Sequence, residues 1–396
     1  MTEDQQARLH RLDARRTRKM ASSAHAYVRG NTVLFYEWLT QADPASLPMG
    51  PPVWICGDCH LGNLGPLADA EGRVDVQIRD LDQTVIGNPA HDLIRLGLSL
   101  ASAARSSDLP GVTTARMLEE MVKGYTLALR RPDEGEAVPE PGVVRAVRRR
   151  ALGRRWRHLA RERLDDVKPK LPLNGRYWAL SEHERSELAE LFARPDVSNL
   201  VLRLNGRDEG HLQLLDAAFW MKGCSSLGKL RYAVLVELAG GDRRGKVALL
   251  DVKEGVPSAA PGSAGAVMPE HHGERVVAGA RALSPNLGER MMAADVLGKA
   301  VVLRELMPQD LKLEVDQFSR AEAVQAARYL SFVVGRAHAR QLDEADQAAW
   351  AGELARHRRG GLDAPDWLWS SVVALAARHE QGYLEHCRRY ALAQAA

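Results

Sequence analysis

The chain has 396 residues, with 54 lysines and arginines against 51 aspartates and glutamates and a net charge of +3. That length supports two substantial lobes with cores of their own, and the small charge excess is no argument by itself for a nucleic-acid partner. No apolar run approaches membrane-spanning length, nothing near the N-terminus reads as an export signal, and the four cysteines are scattered, which together predict a soluble cytoplasmic protein with reduced thiols.

Residues 3–42 read as helix, with Tyr27, Val33, Leu34 and Trp38 as core candidates. Val53-Trp54-Ile55 is a short buried strand leading into Gly57-Asp58-Cys59-His60-Leu61-Gly62-Asn63. Residues 74–78 alternate as a second strand leading into Arg79-Asp80-Leu81-Asp82. Two acids and an amide thus come from neighbouring turns. In phosphoryl transfer one carboxylate orients or deprotonates the acceptor hydroxyl, while another carboxylate and an amide oxygen bind Mg²⁺; Asp58, Asp80 and Asn63 supply that set. Either turn alone is equally well read as Asp and Asn side chains capping backbone groups. Cys56 and Cys59, followed by His60, also match a haem-attachment or zinc half-site pattern. Haem attachment needs export, and zinc needs a second ligand pair, whereas Cys224 and Cys387 stand alone, so the thiols are expected to be dispensable.

After Gly87-Asn88-Pro89 a helix begins, and Asp92 is placed to hydrogen-bond a nearby turn. Residues 131–142 form a surface connection. Nine arginines lie between Arg145 and Arg163, a helix that could meet phosphates but is better read as a solvated face paired with Glu162, Asp165 and Asp166. With Trp156 as its one aromatic, it argues against single-strand binding. Another helix covers 181–193. From about residue 205 the texture changes to strand. Residues 229–238 and 246–253 form an antiparallel hairpin, preceded by a small-residue loop at 222–228. Residues 256–267, rich in Pro, Gly, Ser and Ala, predict a mobile connection. A helix at 270–283, a hairpin of 291–296 with 300–306, and a helix from Arg320 bearing Ala323, Ala327, Leu330, Val334 and Ala337 on one face follow, then two more helices near Ala351 and Val373.

The middle block offers what the first set lacks. Backbone N–H groups around Gly223, Ser225, Ser226 and Gly228 can cradle phosphates, Lys253 at a strand end can reach them, and a helical glutamate, Glu274 or next Glu270, can fix that lysine. Gly57-Asp58-x-His60-x-x-Asn63 and Asp80-x-Asp82 resemble the catalytic and metal-binding loops of the aminoglycoside phosphotransferase and protein kinase superfamily. Gly87-x-Pro89-x-x-Asp92-Leu93 resembles the segment that follows in those phosphotransferases. Across most of residues 18–345 the chain is also similar to the bacterial domain-of-unknown-function family 2252, which shares these turns together with Lys253-Glu254 and Ala337-His338-Ala339-Arg340. No activity comes with that family name.

The superfamily resemblance implies an α+β, two-lobed, protein-kinase-like fold in circularly permuted order, because the phosphate loop, lysine and glutamate follow the catalytic turn instead of preceding it. Residues 1–205 and 313–396 would form a mainly helical lobe, and 206–312 a smaller antiparallel-sheet lobe that grips the nucleotide. It implies ATP and Mg²⁺ as cofactors, with Asp58 as base, Asn63 and Asp80 on the metal assisted by Asp82, and Lys253 on the phosphates within a side chain's reach of Asp80. His60 would brace the turn. Residues 304–308 would form the hinge, with Glu305 and Met307 beside the adenine. Leu81 and Asp82 stand where protein kinases have Phe and Gly, which is closer to small-molecule kinases. The acceptor would be a hydroxyl of a small metabolite or antibiotic. The alternatives are transfer of phosphate or a nucleotide to protein, and a nucleotide-binding regulator without turnover; the oligomeric state is left open.

Overall fold

The computed structural model describes residues 3–130, 138–164, 169–222, 228–240, 246–313, 318–356 and 365–395. Gly223, Ser225 and Ser226 lie outside them. The N-terminal helical stretch is three helices, α1 (Glu3–Ala21), α2 (Ala24–Gly30) and α3 (Thr32–Gln41). Ser23 accepts from Ala26 N and Asn31 from Leu34 N, so each side chain caps a new helix and turns the chain. The caps also rotate the apolar face. Tyr27, Phe35 and Tyr36 are buried, Leu34 and Trp38 are half-buried, and Val33 is exposed.

Strand β1 (Val53–Ile55) pairs antiparallel with β4 (Val85–Gly87), and between them β2 (Leu64–Ala68) and β3 (Val74–Ile78) make a hairpin. The two acidic turns therefore sit at adjacent strand ends. Helices α4 (Ala90–Ser106) and α5 (Gly111–Arg130) follow, and the arginine run divides at Gly153 into α6 (Gly142–Leu152) and α7 (Trp156–Arg163). Arg148 pairs with Glu140 and Arg154 with Glu162, while Asp165 and Asp166 lie outside the described residues.

A six-stranded antiparallel sheet then forms from β5 (Tyr177–Trp178), β6 (His211–Trp220), β7 (Arg231–Ala239), β8 (Lys246–Glu254), β9 (Met291–Val296) and β10 (Lys299–Glu305), in the order β5-β6-β7-β8-β10-β9. Helices α8 (Glu182–Ala193) and α9 (Pro195–Leu204) precede β6, and α10 (His272–Leu283) and α11 (Pro285–Gly288) lie between β8 and β9. Strand alternation divides the sheet into two faces. Tyr232, Val234, Leu250, Val252 and Leu303 pack with Leu188, Leu191 and Phe192 of α8 and Val197 and Val201 of α9. The opposite face carries Lys253 at one end, then Asp251 and Arg304, then Leu235, Leu249 and Leu306, which pack with Leu159 of α7 and Leu171. Residues 256–267, expected to be mobile, are tied to the first acidic region: Ser258 and Ala259 bond Gln83, and Ser263 N bonds Ile86 O.

The chain returns to helix in α12 (Arg320–Ala339), α13 (Glu344–Arg356) and α14 (Asp366–Ala395). Ala323, Ala327, Leu330, Val334 and Ala337 are all buried, and one core runs from Val28 through Met117 and Tyr125 to Leu330, Trp350 and Leu375. The result is a mixed α+β protein with a helical part fed by both ends of the chain and an antiparallel sheet. No described helix is long and apolar enough to cross a membrane.

Candidate active site

The first turn is built on Gly57, whose φ of +74° suits glycine and where a Cβ would fall 2.0 Å from Gln83 O. Asp92, at the start of α4, accepts from Cys56 N at 2.7 Å and Gly57 N at 3.0 Å, the backbone role its position predicted. Tyr36 Oη donates to Gly57 O at 2.6 Å, and Leu61 N donates to Ser99 Oγ. Asn63 Nδ2 donates to Asp58 O at 2.9 Å, which leaves its amide oxygen as the end suited to a cation. Behind Asp92, His338 Nε2 lies 3.2 Å from its carboxylate, Tyr125 Oη lies 2.8 Å from His338 Nδ1, and Trp350 Nε1 donates to Tyr125. A chain of buried polar groups thus runs from the C-terminal helices to the turn.

Asp58 is buried and accepts from Arg95 Nε at 2.9 Å. Burial raises its pKa although the Arg95 charge opposes the shift. His60 is held well below its usual pKa by burial and by Arg29 and Arg95, so it is neutral; its Nε2 lies 3.9 Å from Asp58 Oδ2, beyond a hydrogen bond. His60 Nδ1 is buried without a hydrogen-bond partner among the described residues, so the bond by which it would brace the turn is not seen there. Arg95 follows Asp92 by three residues on α4, so both face the turn. That spacing was the available sequence signal for it.

Across the cleft, Lys253 Nζ lies 3.2 Å from Asp80 Oδ1 and also pairs with Asp82. Desolvation pushes both carboxylates up. Lys253, Arg304 and Arg231 outweigh it at Asp80, which is lowered, while the Asp80 charge adds to it at Asp82, which is raised. Asp58, Asn63, Asp80, Asp82 and Lys253 line one small cavity. An adjoining cavity of about 130 Å³ is lined by Asp58, Asn63, Asp80, Arg79, Arg231 and Arg304 among others.

The remaining expected residues are placed elsewhere. Glu274 is exposed at the start of α10, and its helix instead sends Arg275 inward to the carbonyls of Asp82, Thr84 and Val256. Gly228, at φ +93°, lines a cavity with Arg8, Phe219 and Leu297. Glu305 is buried and accepts from Asn205 Nδ2; neither it nor Met307 is among the residues lining the cavities beside Asp80. Of the buried basic groups, Arg231 and Arg275 carry no local sequence signal of this role and Arg95 only its spacing from Asp92, and the half-buried Arg304, expected in the hinge, instead reaches Asp251 and Arg79 O. Cys56 and Cys59 bring their sulfurs within 4.8 Å of Asp92, but that carboxylate already accepts two backbone amides, and the Cys59 contact and burial hold the Cys56 thiol protonated.

The family model for an uncharacterized protein conserved in bacteria, DUF2252, matches residues 8–389, and the chain belongs to that family. No curated protein and no solved structure matches the chain.

Proposed function

We propose that this member of an uncharacterized bacterial family is a Mg²⁺-dependent phosphotransferase that moves the γ-phosphate of a nucleoside triphosphate such as ATP to a hydroxyl, in a protein-kinase-like arrangement read in permuted order. The observation that carries the reading is the meeting of Lys253 with Asp80 at 3.2 Å, 173 residues apart, in a cavity that Asp58 and Asn63 also line. The element order adds support. Lys253 ends the third of three consecutive long strands and a helix follows it, as the phosphate-binding lysine and its helix do in protein kinases.

Asp80, Asp82 and the Asn63 amide oxygen would offer an all-oxygen donor set of the kind Mg²⁺ takes. A bound Mg²⁺ would neutralise phosphate charge and orient the chain of phosphates. Lys253 would hold phosphate oxygens. Arg95 takes Asp58 Oδ1 and the Thr32 hydroxyl also bonds the carboxylate, so what is left at Oδ2 would orient the acceptor hydroxyl and take its proton. The cationic walls disfavour a polycationic antibiotic and favour a neutral or anionic acceptor.

Two variants test the division of labour. Asp80→Asn is expected to weaken Mg²⁺-dependent triphosphate binding together with turnover. Asp58→Asn should leave binding nearly unchanged while turnover falls by about a hundred- to ten-thousand-fold, as when a general base is lost. Calorimetric titration and a donor-consumption assay with hydroxylated metabolites or cell extract separate the two. Full activity in Asp58→Asn would remove the catalytic assignment, and tight Mg-triphosphate binding with no transfer to any acceptor would favour a regulator.

A further inference from the structure

We infer that the cleft recognises its donor by the phosphate chain alone, so that triphosphates of any base, and inorganic tripolyphosphate, bind alike. The inference rests on the phosphotransferase reading and specifies its donor.

Three sets of groups carry it. The first is charge. The cavity of about 130 Å³ is lined by Arg29, Arg79, Arg231, Arg304 and Lys312 against the carboxylates Asp58 and Asp80, while burial holds the Lys222 amine there well below its usual pKa. Nε of Arg29 and Nε of Arg79 are buried donors without an acceptor among the described residues, a costly state that phosphate oxygens would relieve. Among the described residues lining it the largest aliphatic side chain is Ala26, whereas a nucleobase needs apolar walls; the apolar cavity beside Lys253 that Val256, Val276, Leu287 and Val302 line holds only about 30 Å³, too little for a base.

The second is the sheet face beside Lys253, where a base would otherwise lie. Asp251 makes a two-pronged pair with Arg231, at 2.8 and 2.5 Å, and lies 3.3 Å from Arg304. Arg231 and Lys222 both lie over the Trp220 ring. One residue pair further along, Leu249, Leu235 and Leu306 are covered by Leu159 and Leu171. The chain has filled this face with its own side chains.

The third is the main chain leaving β10, which was expected to meet adenine. Glu305 O accepts from Arg290 Nη1 at 3.2 Å, Leu306 N donates to Leu249 O at 2.9 Å, and Pro308 O accepts from Arg154 Nε at 2.5 Å. These groups are committed within the protein. Small-molecule clefts run to about 300–1,000 Å³, so a cavity of about 130 Å³ is under half the lower bound, and the phosphate chain is the part of a nucleotide it suits.

The full chain, with Mg²⁺, is titrated calorimetrically with ATP, GTP, CTP, inorganic tripolyphosphate and adenosine. The four polyphosphates are expected to bind within about threefold of one another and adenosine not at all. Arg79→Gln should weaken all four by the same factor, about ten- to a hundred-fold for a lost charged hydrogen-bond donor. ATP binding more than about tenfold tighter than tripolyphosphate and GTP, or measurable adenosine binding, overturns the inference while leaving phosphoryl transfer standing. Failure of all four to bind overturns it as well. Equal binding of the four with no transfer from any of them to components of a cell extract keeps the inferred anion site and removes the phosphotransferase reading. The wild-type comparison holds even if Arg79→Gln does not fold.

Discussion

Asp58 meets Arg95 where little water moderates the pair: the aspartate is 8% exposed and the arginine 0%. Removing one partner of such a pair strands a charge, at a typical cost of about 3–5 kcal/mol. Arg95→Met should therefore lower the urea midpoint strongly, and Asp58→Asn in the same chain should restore part of the loss. Simple addition of the two single-variant effects would show that the pair is not energetically coupled. Glu305 makes a prediction about pH. Burial raises its pKa from 4.5 to about 7, against the opposing charge of Arg290. The folded state thus holds a proton that the unfolded chain has released, so its stabilising effect is complete below about pH 4.5 and is lost as pH rises through about 7. Glu305→Gln, which keeps an acceptor for Asn205, should remove this slope and gain up to about 3 kcal/mol over wild type at pH 8 relative to pH 4. Equal slopes in the two proteins would refute it. Cys56 and Cys59 are tested together: replacing both with Ser should leave Mg-tripolyphosphate binding intact, and metal analysis finding one zinc per chain in the native protein would contradict this.

At the scale of elements, the crossing of α5 and α12 positions Tyr125 and His338 behind Asp92. It depends on close approach at Gly124, where a Cβ would lie 2.1 Å from Arg328 O, and at Gly335, where one would lie 2.9 Å from Tyr125 O. Gly124→Ala should cost about 1–3 kcal/mol by overpacking and reduce turnover through the displaced turn, measured as a fall in melting temperature and in kcat. The β9–β10 hairpin was legible because Leu297 and Gly298 sit at positive φ between two alternating runs. Asp58, Asn63 and Asp80 were legible because each lies in a short turn next to its own strand. Arg95 could be read only from a three-residue spacing, and His338 reaches Asp92 across 246 residues, so no local pattern announced its partner. The arginine run was read as one helix because composition alone does not mark the break at Gly153, and the exposed Val33 was misplaced because the Asn31 cap resets the helix face.

For the molecule as a whole, the two ends of the chain are packed together. His386 Nε2 lies 2.9 Å from Thr17 O, and Tyr383 Oη donates to Ala21 O. This has a consequence for synthesis. A ribosome delivers the Asp58 turn early together with its near supports Tyr36, Asp92 and Arg95, but Tyr125 waits for His338 and α1 waits for α14, so the outer supports of the turn join late. A chain halted before α12 should lose part of the hydrogen-exchange protection at the Cys56 and Gly57 amides, which Asp92 shields in the 396-residue chain. Retained protection in the halted chain would show that the turn forms without its distant supports. The turn and the helix that backs it are thus coupled across 246 residues, so loosening α12 should be felt at the Asp92 carboxylate.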